Sequence, residues 1–199
     1  MNLAVILTDI IVVAHLVCLA IGIGSGVALE SRVFKARFNE VTSTLIHEIE
    51  TTHRIIAFAV AGLWITGLLL IYQRTGFDVA AFSDKLWVKL FIVICLTLNA
   101  TLISVFVLPI IKSRDGEKLL DIPLSTMMPL ALCLAFSVVC WILALSLGAS
   151  SFLKTQNFDF LTLFVGVVFV SGMMTATVVA LALSRPERSS QSDALTFQD

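Results

Sequence analysis

Runs of about 18 or more apolar residues recur along this chain, and at about 1.5 Å per residue each is long enough to cross a hydrocarbon core of about 30 Å. That recurrence constrains the fold more than any motif. Backbone polar groups in lipid must be satisfied within their own segment, so the chain folds as a bundle of membrane-crossing helices. Composition agrees: 58% of the 199 residues are hydrophobic and only 14% are charged, against about 25% charged in soluble domains. We expect an all-α integral membrane protein in one domain.

The apolar runs and their charged flanks predict five helices, at Leu3 to Leu29, Arg54 to Gln73, Leu86 to Ile111, Met127 to Gly148 and Phe160 to Leu183. Between the first two, Val41, Leu45, Ile46 and Ile49 recur at helical spacing, so helix two is expected to begin before the membrane, with Glu50 and Arg54 able to pair along it. Residues 184–199 are polar and Ser-rich, and are expected to form a flexible tail. The N-terminus carries no positive n-region and its apolar run is too long for a cleaved signal, which reads as a retained first span.

Lys and Arg are retained on the cytoplasmic side of membranes. Arg32, Lys35, Arg37, Arg54, Lys112, Arg114, Lys118, Arg185 and Arg188 fall on one side of the bundle; Arg74, Lys85, Lys89 and Lys154 fall on the other. The N-terminus is therefore expected outside and the C-terminus in the cytoplasm, with Tyr72 and Trp87 at the outer headgroup level. Thirteen basic residues against fourteen acidic ones give a net charge of −1, which lacks the electrostatic footprint of a nucleic-acid binder. Cys18, Cys95, Cys133 and Cys140 all fall in apolar runs and read as buried thiols.

His15 is the sharpest single feature. It stands twelve residues into helix one, roughly 18 Å deep and close to the bilayer midplane, where an ionisable side chain marks a site by default. Gly22 and Gly26 lie within about 20° of its face at 100° per residue, which leaves room for a flat object against the helix. Imidazole is an axial ligand for haem iron, so a porphyrin meets that description. Gly22-x-x-x-Gly26 reads equally well as close helix packing, with His15 merely hydrogen-bonded to a neighbour.

His47 and His53, on the cytoplasmic approach to helix two, are expected to be solvated beside Glu48 and Glu50, and no HExxH or CxxC spacing is present. Met173, Met174 and Asn99 fall near the depth of His15, and a thioether can ligate haem iron. Asn99, Thr97, Thr101 and Ser104 form a polar stripe explained by interhelical hydrogen bonding. Asp9, about 9 Å into helix one, reads as an interfacial acid or a proton entry point. No carboxylate pair, activated nucleophile or phosphate loop appears, which sets hydrolases and kinases aside.

Three stretches together carry a family resemblance. Helix one has His15, small residues up to Gly26 and the exit Arg32-Val33-Phe34. The approach to helix two has Glu50 and Arg54, followed by Gly62 and Gly67. Helix three opens Trp87-Val88-Lys89-Leu90. In these the chain resembles the small bacterial membrane protoporphyrinogen oxidases of the four-helix, haem-b type, and more distantly the copper-resistance protein D family. The resemblance implies a multi-pass protein of the bacterial inner (cytoplasmic) membrane, with haem b held by His15 and Lys89 and electrons passed to a membrane acceptor such as quinone. The chain departs from the family where Asn99 stands in place of a helix-three histidine, where KSRDGEKLLDIPLSTMMP replaces a Phe-Asn-Glu-Pro signature, and in its fifth helix.

The expected site is thus His15 as axial ligand, Lys89, Met173 or Met174 as second ligand, and Gly22 and Gly26 against the ring. Expected partners are the lipid bilayer, a membrane electron acceptor and a second copy of the chain. A cofactor-free structural or assembly subunit and a copper-handling transporter are the alternatives.

Overall fold

A computed structural model describes residues 3–36, 40–116 and 123–183. The helices are α1 (Leu3–Ala36), α2 (Ser43–Thr75), α3 (Asp84–Leu102), α4 (Leu108–Lys112), α5 (Leu124–Ala149) and α6 (Phe158–Leu183). A π-helical turn at Ile103–Val107 joins α3 to α4, so Asp84 to Lys112 runs as one span. Among the described residues five helices are long and apolar enough to cross a membrane, and no strand is present. The expected all-α, five-span architecture holds. Residues 184–199, expected as a tail, lie outside the described residues.

The second helix starts at Ser43, eleven residues before the expected span start at Arg54, as the spacing of Leu45, Ile46 and Ile49 requires. Thr42 caps it: its Oγ1 accepts from the Leu45 N–H at 3.2 Å. The other end stops on Gly76, whose left-handed backbone (φ 60°) lets its N–H reach the Tyr72 carbonyl at 2.8 Å. Glu50 does not pair with Arg54 as expected. Lys112 of α4 reaches it across the bundle instead, and the Gly116 N–H donates to the Val41 carbonyl at 2.8 Å beside it. These bonds tie the end of the third span to the start of α2.

Proline explains the π turn. Pro109 has no N–H and its ring crowds the carbonyl four residues back, so the ladder before it widens; the Leu108 N–H donates to Ile103, five residues away.

α5 is the hub. It packs on α6, α3 and α1, while α1 packs mainly on α2. Cys140, Leu143 and Leu147 of α5 are fully buried against Ile92 and Leu96 of α3 and Leu161 of α6. The outward faces stay apolar, with Leu7, Val13, Phe58, Ile65, Leu98 and Leu163 exposed. Exposed apolar side chains all round a bundle are expected where lipid is the solvent. Tyr72 and Trp87 are exposed at the end of the bundle that holds Leu3, and we refer to the two ends as the Leu3 end and the Ala36 end.

Much of the predicted polar stripe does bond between helices. Thr97 Oγ1 accepts from the Trp64 indole N–H at 2.9 Å, and Asn99 Nδ2 donates to the Cys133 carbonyl at 3.0 Å. Thr101 instead donates to Thr97 of its own helix. Asn99 is 4% exposed, so Asn99→Leu is expected to cost about 0.6 kcal/mol and at most about 1.7. Thermal unfolding in detergent, read against the wild type, measures it.

Candidate functional site

His15 is half-buried at the seam between α1 and α2. Thr66 faces it. The Thr66 hydroxyl has one hydrogen, and it donates this to the Gly62 carbonyl of its own helix at 2.6 Å. While that bond is made, the hydroxyl accepts from the ring, 2.7 Å away at Nδ1. That places the imidazole proton on Nδ1 and leaves Nε2 with its lone pair. A ligating histidine is usually held in this way, with one nitrogen bonded to the protein and the other free for a metal.

Cys18, one turn on, turns its Sγ toward Gly62; a Cβ added there would stand 2.5 Å from the sulfur. Gly67 lies beside the imidazole, where an added Cβ would be 3.6 Å from Cε1, an ordinary contact. A side chain at Gly62 would make the sulfur turn aside, and one at Gly67 would displace nothing.

Lys89 presents a depth difficulty in the sequence, since it stands five residues into α3 while His15 is twelve into α1. In the structure Lys89 comes within electrostatic range of His15. Lys85, Arg74 and Lys154 surround it, and it has no hydrogen bond or ion pair among the described residues. Its neighbour Lys85 is 8% exposed and donates from Nζ to the Ser150 carbonyl at 2.9 Å.

The other expected site residues are placed elsewhere. Gly22 does not border open space, since an added Cβ would stand 2.1 Å from Cη2 of Trp141, while one at Gly26 would be 4.0 Å from its Cδ1, an ordinary contact, and Gly26 borders a small cavity shared with Glu30 and His53. The notch expected to admit a flat ligand holds an indole from α5. Trp141 is 3% exposed, and its buried Nε1 has no hydrogen-bond partner among the described residues. Met174 is 63% exposed and Met173 packs in the core; both are on α6, which is seated on α5 and α3. With α5 between α6 and α1, neither sulfur comes together with His15.

His53 corrects the sequence reading. It is 6% exposed rather than solvated, and its Nε2 lies 2.7 Å from the Ser104 hydroxyl on the π turn. The missed signal is the spacing Ile49, His53, Ile56, Val60, Leu63, which alternates four and three and marks the buried face of α2. His53 and Thr66 are thirteen residues apart on one helix, so the two buried imidazoles are separated by roughly 20 Å of helix rise. His47 is exposed, and no group of three or more His, Cys, Asp or Glu that could hold a metal ion occurs among the described residues.

For an iron porphyrin, the donor set fits: a neutral imidazole with a free Nε2, and an amine nearby. Gly22 does not contribute, because Trp141 fills its notch. No family model, curated protein or solved structure matches this chain.

Proposed function

We propose that this chain is a haem-b-binding redox protein of a bacterial inner membrane, with His15 as an axial ligand and Lys89 as the second. The observation that carries the reading is the Thr66 hydroxyl, which holds His15 with Nε2 free. Haem would supply one-electron exchange within the bilayer. The chain's own part is to fix the imidazole between α1 and α2, to bring Lys89 down from the Leu3 end, and to surround both with apolar helix. In an enzymatic form it would oxidise protoporphyrinogen IX and deliver electrons to a membrane acceptor such as quinone. The lysine and arginine distribution supports the Leu3 end outside.

A second reading has its own observation. Gly22, Gly62 and Gly172 each admit a side chain from a neighbouring helix, which is how small residues serve helix packing in membranes. On that reading the chain is a cofactor-free structural or assembly subunit.

The visible spectrum of protein purified in mild detergent after expression with ample haem separates the two. A Soret band that shifts on dithionite reduction is expected. His15→Ala is expected to abolish or shift it, and His53→Ala to leave it in place. Thr66→Val, which removes only the orienting hydroxyl, is expected to weaken haem retention about 10–100-fold. A colourless wild-type protein would discard the haem reading in favour of the structural one. Haem binding without complementation of a strain lacking protoporphyrinogen oxidase would keep the cofactor and remove the enzyme.

A further inference from the structure

Toward the Ala36 end, one ring nitrogen of a buried histidine is taken up by Ser104, and the mostly apolar cavity beside that ring holds two further polar side chains. Glu30 of α1, His53 of α2 and Ser137 of α5 line one largely enclosed cavity, closed on its α3 side by Leu96, Ala100 and Ile103. It has about 20 Å³ of room for solvent, enough for a single water, which needs two to four polar partners to be stable. Glu30, His53 and Ser137 are the lining residues whose side chains can supply them.

Charged groups at this end pair with one another: Arg32 Nη1 lies 3.5 Å from Glu48 Oε2, and Lys112 binds Glu50, which also has Arg54 and His47 in its field. The cavity walls from α3 and α5 bring no charged group, and Ser137 is their one polar side chain among the lining residues. Among the described residues Glu30 has no ion pair. A carboxyl and an imidazole thus share one small hydrated space with no counter-ion, where carrying both charges or neither is a choice made by one proton.

We infer that Glu30, His53 and a water between them form a proton-binding site at the Ala36 end of the bundle. One proton has two seats. It rests on Glu30 as a carboxylic acid with His53 neutral, or on His53 as an imidazolium with Glu30 a carboxylate. The water accepts it from one and gives it to the other, so charge and atoms balance. Glu30 is half-exposed and exchanges the proton with the aqueous phase, while His53 holds it inside. The Ser104 hydroxyl, displaced with the π turn toward α2, orients the ring. This site stands apart from the haem reading, roughly 20 Å from His15, and does not depend on it.

Infrared titration of the full chain in lipid nanodiscs tests the inference, using protons and deuterons as the only ligand. A carboxylic-acid carbonyl band that responds to pH is expected. Glu30→Gln removes it, and Asp9→Asn leaves it. His53→Gln displaces its midpoint by about one pH unit, because groups that share a proton titrate as a pair. Ser137→Ala touches neither titrating group and is expected to slow deuterium exchange of the band by removing a water ligand. A band that survives Glu30→Gln, or a midpoint identical in the wild type and His53→Gln, overturns the site. Should Glu30→Gln fail to fold, the His53→Gln midpoint decides alone.

Discussion

Gly22→Ala is expected to lower the thermal midpoint of the protein in detergent, while Gly24→Ala, two residues away, leaves it unchanged or raises it. The two glycines share a helix and differ in what stands opposite. An added Cβ at Gly22 would lie 2.1, 2.6 and 2.7 Å from three ring atoms of Trp141, whereas nothing approaches within 4 Å at Gly24. An indole cannot fold away as a flexible chain would, and its neighbours Cys140 and Leu143 are fully buried. Either α1 moves off α5 or the ring leaves its rotamer. Overpacking of this kind costs about 1–3 kcal/mol, and better helix propensity returns at most about 1 kcal/mol. At Gly24 only the propensity gain remains. Trp141→Leu in the Gly22→Ala background is expected to recover part of the loss, the non-additivity of residues in contact. Equal midpoints for Gly22→Ala and the wild type would mean that the notch is wider than the structure has it.

Lys85→Met is expected to cost about 1.5–3 kcal/mol, the range for a hydrogen bond made by a charged donor. Methionine keeps the apolar stem and removes the ammonium, so the loss isolates the bond to Ser150. That carbonyl closes the last turn of α5, where the Ser150 N–H turns back to Ser146 at 3.0 Å. A cation at a helix C-terminus also meets the negative end of its dipole. Repulsion from Lys154 opposes this, which sets the expected value toward the lower half of the range. Hydrogen–deuterium exchange is expected to rise first in the Phe152–Lys154 turn, which follows the broken bond. Unchanged exchange there, with an unchanged midpoint, would show that Lys85 is held by packing alone.

How far the sequence led differs from residue to residue. The five spans were legible because hydropathy over eighteen residues averages out local detail, and the early start of α2 was legible from the spacing of four apolar residues. His53 was misread for a reason that can be named. Counting the span from the first long apolar run put it outside the membrane, although the four-and-three spacing through Ile49 and Ile56 already included it in the buried face. His15 was recognised, but its tautomer depends on Thr66, fifty-one positions away in sequence, and no local pattern reports that. The glycines of α1 illustrate the deeper limit. Small residues announce that something comes close without saying what, and the two candidates, a flat ligand and a flat side chain, have the same shape. The π turn was not foreseen, and no local pattern reports that its Ser104 would meet His53.

The glycine notches also limit how this sequence can drift. Gly22 faces the rigid ring of Trp141, and Gly172 faces Val139, whose Cγ2 would lie 2.3 Å from an added Cβ; both partners belong to α5, one turning toward α1 and the other toward α6. Cys18 opposite Gly62 can rotate its sulfur aside, so that pair tolerates independent change. The α5 pairs do not. A descendant that gains a side chain at position 22 or 172 must shrink position 141 or 139 in step, so in any set of diverged homologues these two pairs should vary jointly while position 62 varies on its own.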